Sequence, residues 1–362
     1  MTNVHSFSSA SNDFEKVTNN SKLKQQGFTL IELLVALAVS TLVTLAAFSA
    51  LIISRQGLTA VDAASQLRDN ARFATDLMQR IAVQAGYLSD RSISNPKETN
   101  IPLSSTSTDD ICLFNLAPDV CGFNNSLVLS TSPTGLPTTR PTGSTDGSDI
   151  LILRYQANEI SNIGPTTLTT DGSMIDCSGN SITSPASNRQ DRQWSVFHVA
   201  LGADGEPSLY CSVLPSIALP IPNNTQPIIR GVETFQVLYG VDNVTAGLAT
   251  ALTTVPNVVT NYLRADQFLV PGNLMETQKN WGRVRNIRIG MVLRGPLGSS
   301  PVSSNSNTTY YPLGIGASAS GGSVGSALST ASDPGSIFKP GSDTRLRQVV
   351  TFTIHLRNDQ NV

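Results

Sequence analysis

Residues 24–53 read KQQGFTLIELLVALAVSTLVTLAAFSALII, a glycine followed by an apolar run with a single carboxylate, Glu32, near its start. From Phe28 the run lasts about 26 residues, and at ~1.5 Å rise per residue a helix of that length crosses a ~30 Å hydrocarbon layer with some tilt. The chain is therefore expected to meet a membrane. Lys16, Lys22 and Lys24 precede the run, whereas Arg55 on its far side is soon followed by Asp62. Positive charge is retained on the cytoplasmic side, so the N-terminus is expected in the cytoplasm and the bulk of the chain outside it.

A carboxylate within the bilayer costs ~2.5–3.5 kcal/mol on insertion scales, so Glu32 needs a reason for its place. Cutting the chain between Gly27 and Phe28 would put a new α-amino group four residues before Glu32, on the same helix face, where the opposite charges can pair within or between molecules. An ordinary signal anchor would leave both Gly27 and Glu32 without a role. A cleaved secretory signal fits less well, because its apolar region spans ~7–15 residues and ends at a small-residue site.

Gly27, Phe28, Thr29, Leu30, Ile31 and Glu32 together resemble the class III signal of type IV pilins and type II secretion pseudopilins. The resemblance implies that a prepilin peptidase cuts after Gly27 and methylates Phe28, and that Glu32 guides addition of the subunit to a filament. The leader, 1–27, is longer than usual in that family and carries Asp13 and Glu15.

Past Ile53 no proline occurs before Pro96, and Leu67, Ala71, Ala74, Met78, Ile81, Ala85 and Leu88 recur at steps of three or four. This spacing predicts that the helix continues over 54–90 as an amphipathic segment, with Arg68, Asp69, Asp76, Gln79 and Arg80 facing solvent or partners. Gly57 marks a possible bend and Gly86 a stop. Beyond Pro96 short β-branched segments alternate with turn-rich loops, and strands are expected at 111–115, 127–130, 149–157, 194–200, 208–214, 228–240, 284–294 and 348–357. Ile287, Ile289, Met291 and Leu293 share one face with Arg288 opposite. Val350, Phe352, Ile354 and Leu356 share another, with Thr351, Thr353 and His355 opposite; both are patterns of half-buried antiparallel strands. The expected class is α+β: a leader (1–27), a transmembrane helix (28–53), its amphipathic continuation (54–90) and an exported, mainly antiparallel β head (91–362). Loops 130–148 and 295–343, rich in Gly, Ser, Thr, Asn and Pro, suggest mobile or partner-binding surface rather than core.

The 362 residues carry a formal net charge of −2, which gives nucleic-acid binding no compositional support. Arg283, Arg285, Arg288 and Arg294 cluster locally, but with little aromatic interleaving beyond Trp281 they suit a solvated strand face. The four cysteines, Cys112, Cys121, Cys177 and Cys211, all lie on the exported side and suit two disulfides. Three pairings are possible; Cys112–Cys121 with Cys177–Cys211 closes the shortest loops. Zinc is the competing use, without C-x-x-C spacing or a nearby histidine to support it.

Catalysis and cofactors find little footing. His5 falls in the leader, and His198 and His355 fall in expected strands. The G-x-S-x-G string at Gly321–Gly325, with Ser323, lacks the strand and helix of a nucleophile elbow. Gly314, Gly316 and Ala319 match a dinucleotide fingerprint without its βαβ unit. Loops at Asp146, Asp149 and Asp171 could offer oxygens to calcium, though turn formation accounts for them first.

The segments Asp69-Asn-Ala-Arg-Phe-Ala74, Gln84-Ala-Gly-Tyr87, Leu153-Arg-Tyr155, Val237-Leu-Tyr-Gly-Val-Asp242, Trp281 with Ile287-Arg-Ile289, and Leu356-Arg-Asn358 resemble the pattern of PilW-family minor pilins. That resemblance implies a non-enzymatic assembly protein that needs no cofactor, is held in the inner membrane before assembly and then found in the pilus at or near its tip. Its implied partners are prepilin peptidase, other minor pilins, the major pilin and a PilY-type tip adhesin. A type II secretion pseudopilin of the J type is the nearest alternative, and a membrane-anchored exported enzyme a more distant one.

Overall fold

The computed structural model describes residues 27–89, 112, 118–128, 138–139, 147–161, 168–189, 191–215, 227–250, 258–300, 308–316, 328 and 333–358. Helix α1 (Leu30–Gln84) opens the described chain, and the boundary between two compact units falls within it, between Ser54 and Arg55.

In the first unit every described residue is exposed, including the large apolar side chains from Phe28 to Ile53. A helix apolar on all sides has no surface to spare for water. The hydroxyls on it are satisfied locally: Ser40 donates to the Leu37 carbonyl (2.9 Å), Thr41 to Ala38 (2.8 Å), Thr44 to Thr41 (2.9 Å) and Ser49 to Leu45 (2.9 Å). Such back-bonding is how a polar side chain is tolerated where water is absent.

In the second unit α1 becomes one-sided. Ala63, Leu67, Ala71, Ala74, Met78, Ile81 and Ala82 are buried, the stripe that the three-and-four spacing predicts. The helix stops at Gln84, earlier than the expected end at 90, because Gly86 takes φ 78°, a conformation that glycine adopts at little cost. Leu88, expected on the apolar face, lies beyond the helix and is half-buried, while Gly57 is accommodated inside it. Gln84 is buried and uses its side-chain amide like a piece of strand: Oε1 accepts from Ile175 N at 2.9 Å and Nε2 donates to Ile175 O at 3.1 Å.

The head contains two principal antiparallel sheets. In the first, strands β1 (Val120–Phe123), β4 (Ile150–Tyr155), β7 (Gln193–Leu201), β8 (Pro207–Pro215) and β9 (Pro227–Arg230) neighbour one another in that order. In the second, the order is β11 (Asn261–Leu263), β10 (Val232–Val241), β12 (Val284–Arg294) and β13 (Arg347–His355). Two small pairs, β2 (Ser126–Leu127) with β3 (Thr138–Thr139) and β5 (Glu159–Ser161) with β6 (Leu168–Thr170), complete the strands. Strand β10 is buried along its whole length because it lies in the second sheet and against β7 and β8 of the first. The core is continuous from the α1 stripe through Ile152, Phe197, Phe235 and Ile289.

Two of the expected strands need correction. The single strand at 228–240 is two strands in different sheets, separated by Gly231 at φ 78°, where a Cβ would collide with the Arg294 carbonyl. The strand at 348–357 ends at His355, and its apolar side is only half-buried apart from Ile354, because β13 is a sheet edge. A short helix, α2 (Leu274–Trp281), and the 3-10 turn Ala265–Phe268 before it occupy a stretch to which the sequence reading assigns no element. Their Phe268 and Trp281 stack at 3.9 Å between centroids, with Tyr239 edge-on at 4.8 Å from Trp281. The expected strand at 111–115 lies outside the described residues except for Cys112, as do residues 129–130 of the one at 127–130.

Candidate functional site

The first turn of α1 holds the residues on which the apolar run turns. Thr29 caps the helix and Glu32 is its third residue, so the pair forms a capping box. Glu32 Oε2 accepts from both the Thr29 amide and the Thr29 hydroxyl, each at 2.9 Å, and the Thr29 hydroxyl accepts from Glu32 N at 3.3 Å. The carboxylate therefore has donors within its own chain while Phe28 is still joined to Gly27. This partner went unforeseen although the signature T-x-x-E before an apolar run stood in the sequence.

Phe28 is 89% exposed, and a Cβ added at Gly27 would meet nothing within 4 Å. Nothing in the packing of the described residues thus requires glycine there. A requirement for it would have to come from a molecule that handles the Gly27–Phe28 bond.

In the head, the cysteines form the bridges Cys112–Cys121 and Cys177–Cys211, with Cα separations of 5.7 and 5.9 Å. The first bridge helps to build a seat for Arg154. Its guanidinium is fully buried, donates to the carbonyls of Cys112 and Pro118, and lies 3.9 Å over the Trp194 ring. Burial, then the neighbouring charge of Arg192, pushes its pKa well below the usual arginine range, and Asp119 opposes them. Arg154 sits inside the Leu153-Arg-Tyr155 segment, so that segment is structural.

The remaining candidates separate from one another. Arg294 pairs with Glu206 (2.9 Å) and Glu233 (3.1 Å), while Arg283 and Arg285 donate to the carbonyls of Asp242 and Gly282 and Arg288 lies near Thr353. The four arginines thus go to separate partners among the described residues. Asp149 spends its carboxylate on the main-chain amides of Asn125 (2.8 Å) and Val237 (2.7 Å), and Asp171 spends its own on Ser173, which also draws its pKa down. His198 is buried with Nε2 3.1 Å from the Ser212 hydroxyl and its ring stacked on Tyr210, and His355 is exposed at the end of β13. Among the described residues no group of three or more His, Cys, Asp or Glu side chains is placed to share a metal. Ser323, Ala319 and Asp146 lie outside the described residues.

Asn358 was legible only as the end of a pattern. In the structure its amide donates to the Ala85 carbonyl at 3.0 Å, capping the C-terminus of α1.

Two family models match the chain. The prokaryotic N-terminal methylation motif covers residues 22–48, and the type IV pilus-assembly protein W family covers residues 196–358. The second match gives the chain a PilW-type domain over somewhat less than half of its length. It is a minor type IV pilin, and the matched family consists of assembly proteins rather than enzymes. Of the six segments resembling PilW, those at 237–242, Trp281, 287–289 and 356–358 fall inside the matched region, while the helix segments and Leu153-Arg-Tyr155 precede it. No curated protein matches the chain. Among solved structures, a type IV-like pilin from Thermus thermophilus aligns over 82% of this chain and 98% of its own, at 14% identity and a TM-score of 0.35. The methylation motif and the apolar helix, which is long and apolar enough to span a bilayer, make this pilin a membrane-anchored subunit associated with pili and processed by a prepilin peptidase.

Proposed function

We propose that the chain is a priming subunit of the type IV pilus: cut between Gly27 and Phe28, methylated on Phe28, and joined to other minor pilins before the major pilin is added. Residues 1–27 are the leader, 28–53 span the inner membrane with the N-terminus in the cytoplasm, and the amphipathic stretch and the head lie on the exported side. After assembly the subunit remains at or near the tip, where a PilY-type adhesin joins it. The observation that carries this reading is the first turn of α1: up to Ser54 the helix is otherwise uncharged and fully exposed, and it offers one carboxylate, Glu32, one turn from the bond that processing would open. Once that bond is cut, a charged amine lies beside Glu32 in a medium of low dielectric, and pairing it, within the subunit or across to the next, favours docking.

Sheared pili and membranes from a piliated strain test this. Mass spectrometry should find a mature chain beginning with N-methylated Phe28, at few copies per pilus, and immunogold should label pilus ends. A deletion should reduce the number of pili rather than their length. Uniform labelling along the shaft, or an unaltered pilus count in the deletion strain, would remove the priming role.

A further inference from the structure

We infer that the free edge of β13, together with α1 beside it, is a docking groove that accepts an extended, acidic strand from a different pilin subunit. The inference rests on the assembly role proposed above and names the contact that the head contributes to it. Among the described residues β13 is terminal in its sheet, so one row of its main-chain N–H and C=O groups has no described strand beside it. Exposed edges are ordinarily guarded by charge, proline or a bulge, yet Gln348 to Ile354 contain no charged residue, no proline and no glycine, and the pairing with β12 runs without a register break. An unguarded edge with six β-branched or aromatic residues in a row is suited to strand addition.

The groove itself measures about 730 Å³ and is lined on one side by Gln348, Val349, Val350 and Thr351. Four consecutive residues of a strand point alternately to its two faces, so a hollow that touches all four runs along the edge and not over a face. The opposite wall is α1, with Arg68, Arg72 and Phe73 at the rim. Phe73 is 52% exposed, and among the described residues neither arginine enters an ion pair or a hydrogen bond through its side chain. Asp76 is the only carboxylate in the lining, so the groove carries an excess of one positive charge.

Those charges choose the occupant. A second copy docked edge to edge would be related by a two-fold axis, which brings the same patch from both subunits together and sets four arginines in one groove. An extended segment with carboxylates spaced to meet Arg68 and Arg72 instead gains main-chain bonds from β13, an apolar contact from Phe73 and two charge-assisted hydrogen bonds.

A photoreactive benzoyl-phenylalanine at Phe73 of the full chain, in piliated cells, tests the inference, with the same label at Leu37 in the apolar helix as a control. The expected result is a Phe73 adduct to another pilin, mapped by mass spectrometry to an extended segment containing Asp or Glu. Arg68→Glu/Arg72→Glu in the same chain should reduce that adduct about tenfold and leave the Leu37 adduct and both disulfides in place. Arg68→Gln/Arg72→Gln should give an intermediate loss, and it serves as the test if charge reversal disturbs folding. A Leu37 adduct with none at Phe73, a Phe73 adduct unmoved by charge reversal, or an adduct joining two copies of this chain would overturn the groove. Loss of both adducts together with absence from pili would instead count against the assembly role on which it rests.

Discussion

The side-chain amide of Asn358 donates to the main-chain carbonyl of Ala85 across 273 positions of sequence, so the last part of the described chain closes the end of the first helix. The same amide lies 3.4 Å from the Val83 carbonyl and 3.5 Å from that of Gln84, within reach of the acceptors that any helix leaves open at its C-terminus. Asn358→Ala should lower the stability of the head by about 1 kcal/mol, the worth of one hydrogen bond, and its melting temperature by roughly 2–4 °C. Thermal unfolding of the detergent-solubilised protein checks this; an unchanged midpoint would show that water replaces the amide at no cost.

Gly27→Ala should block processing without harming the fold, because the added methyl meets nothing among the described residues. An immunoblot should show the full-length form accumulating in the membrane, with both disulfides formed. Normal cleavage of Gly27→Ala would mean that the bond before Phe28 is not the one cut.

Glu32 and Thr29 can be separated by substitution. Thr29→Val removes the hydroxyl bond to Glu32 but leaves the carboxylate, and loss of an N-cap costs about 1 kcal/mol. Glu32→Leu removes the partner of a charged amine held in low dielectric, and breaking such a pair typically costs ~3–5 kcal/mol. Pilus counts should therefore fall more than a hundredfold for Glu32→Leu, by roughly the factor such an energy gives, and only modestly for Thr29→Val. Processing should be intact in both. Equal loss in the two strains would assign the effect to capping alone.

Replacing Cys112 and Cys121 by serine should destabilise the head by ~2–4 kcal/mol, the usual range for a disulfide. It should also loosen the seat of Arg154, since one of the two carbonyls that receive its guanidinium belongs to Cys112. Trp194 lies under that cation, so its fluorescence should change in the native state before any global unfolding. Replacing Cys177 and Cys211 should cost similar stability and leave the tryptophan signal unmoved.

Acid should weaken the corner where the two sheets meet. The hydrogen bond from Arg294, with the charges of Arg294 and Arg345 adding to it, holds the Glu206 carboxyl below its ordinary range, against desolvation and Asp204. A depressed folded-state pKa contributes stability that is whole above the unfolded value of about 4.3 and is lost as pH falls through the folded one. Glu206→Gln should therefore lower stability at neutral pH and flatten the acid limb of the stability curve. Denaturant titrations between neutral pH and the acid limb measure both effects.

Much of this was legible in the residues, and the exceptions have physical causes. The apolar run, the stripe from Leu67 to Ile81 and the Gly86 stop follow from helical periodicity, and β12 follows from alternation. The split at Gly231 was hidden because 228–240 is one stretch of apolar and polar residues in strand-like order. Only the glycine inside it signalled a break, and a glycine within a strand can equally mark a bulge. Helix α2 was missed although Asn273, three residues before Glu276, is a capping signal after the turn at Pro271 and Gly272; its Asn273 side chain does accept from Glu276 N at 3.2 Å. The Thr29 box was present in the letters but overshadowed by the charge question. The ion network around Glu233, which joins Arg294 to Arg347 and through it to Asp343, depends on strands far apart in sequence and has no local signature.

Gly231 also sets the limits of what can be made in isolation. The strands on either side of it are shared out between two sheets, and the stretch matched to the family, 196–358, opens partway through β7. A gene fragment trimmed to that stretch would encode β8, β9 and most of β7 without β1 or β4 to finish their sheet. It would also lack the Leu67, Ala74, Met78 and Ile81 side chains of the core. The smallest soluble piece expected to fold runs from the helix just after Ser54 to Asn358, so the boundaries that define this family by likeness are not the boundaries of an autonomous body.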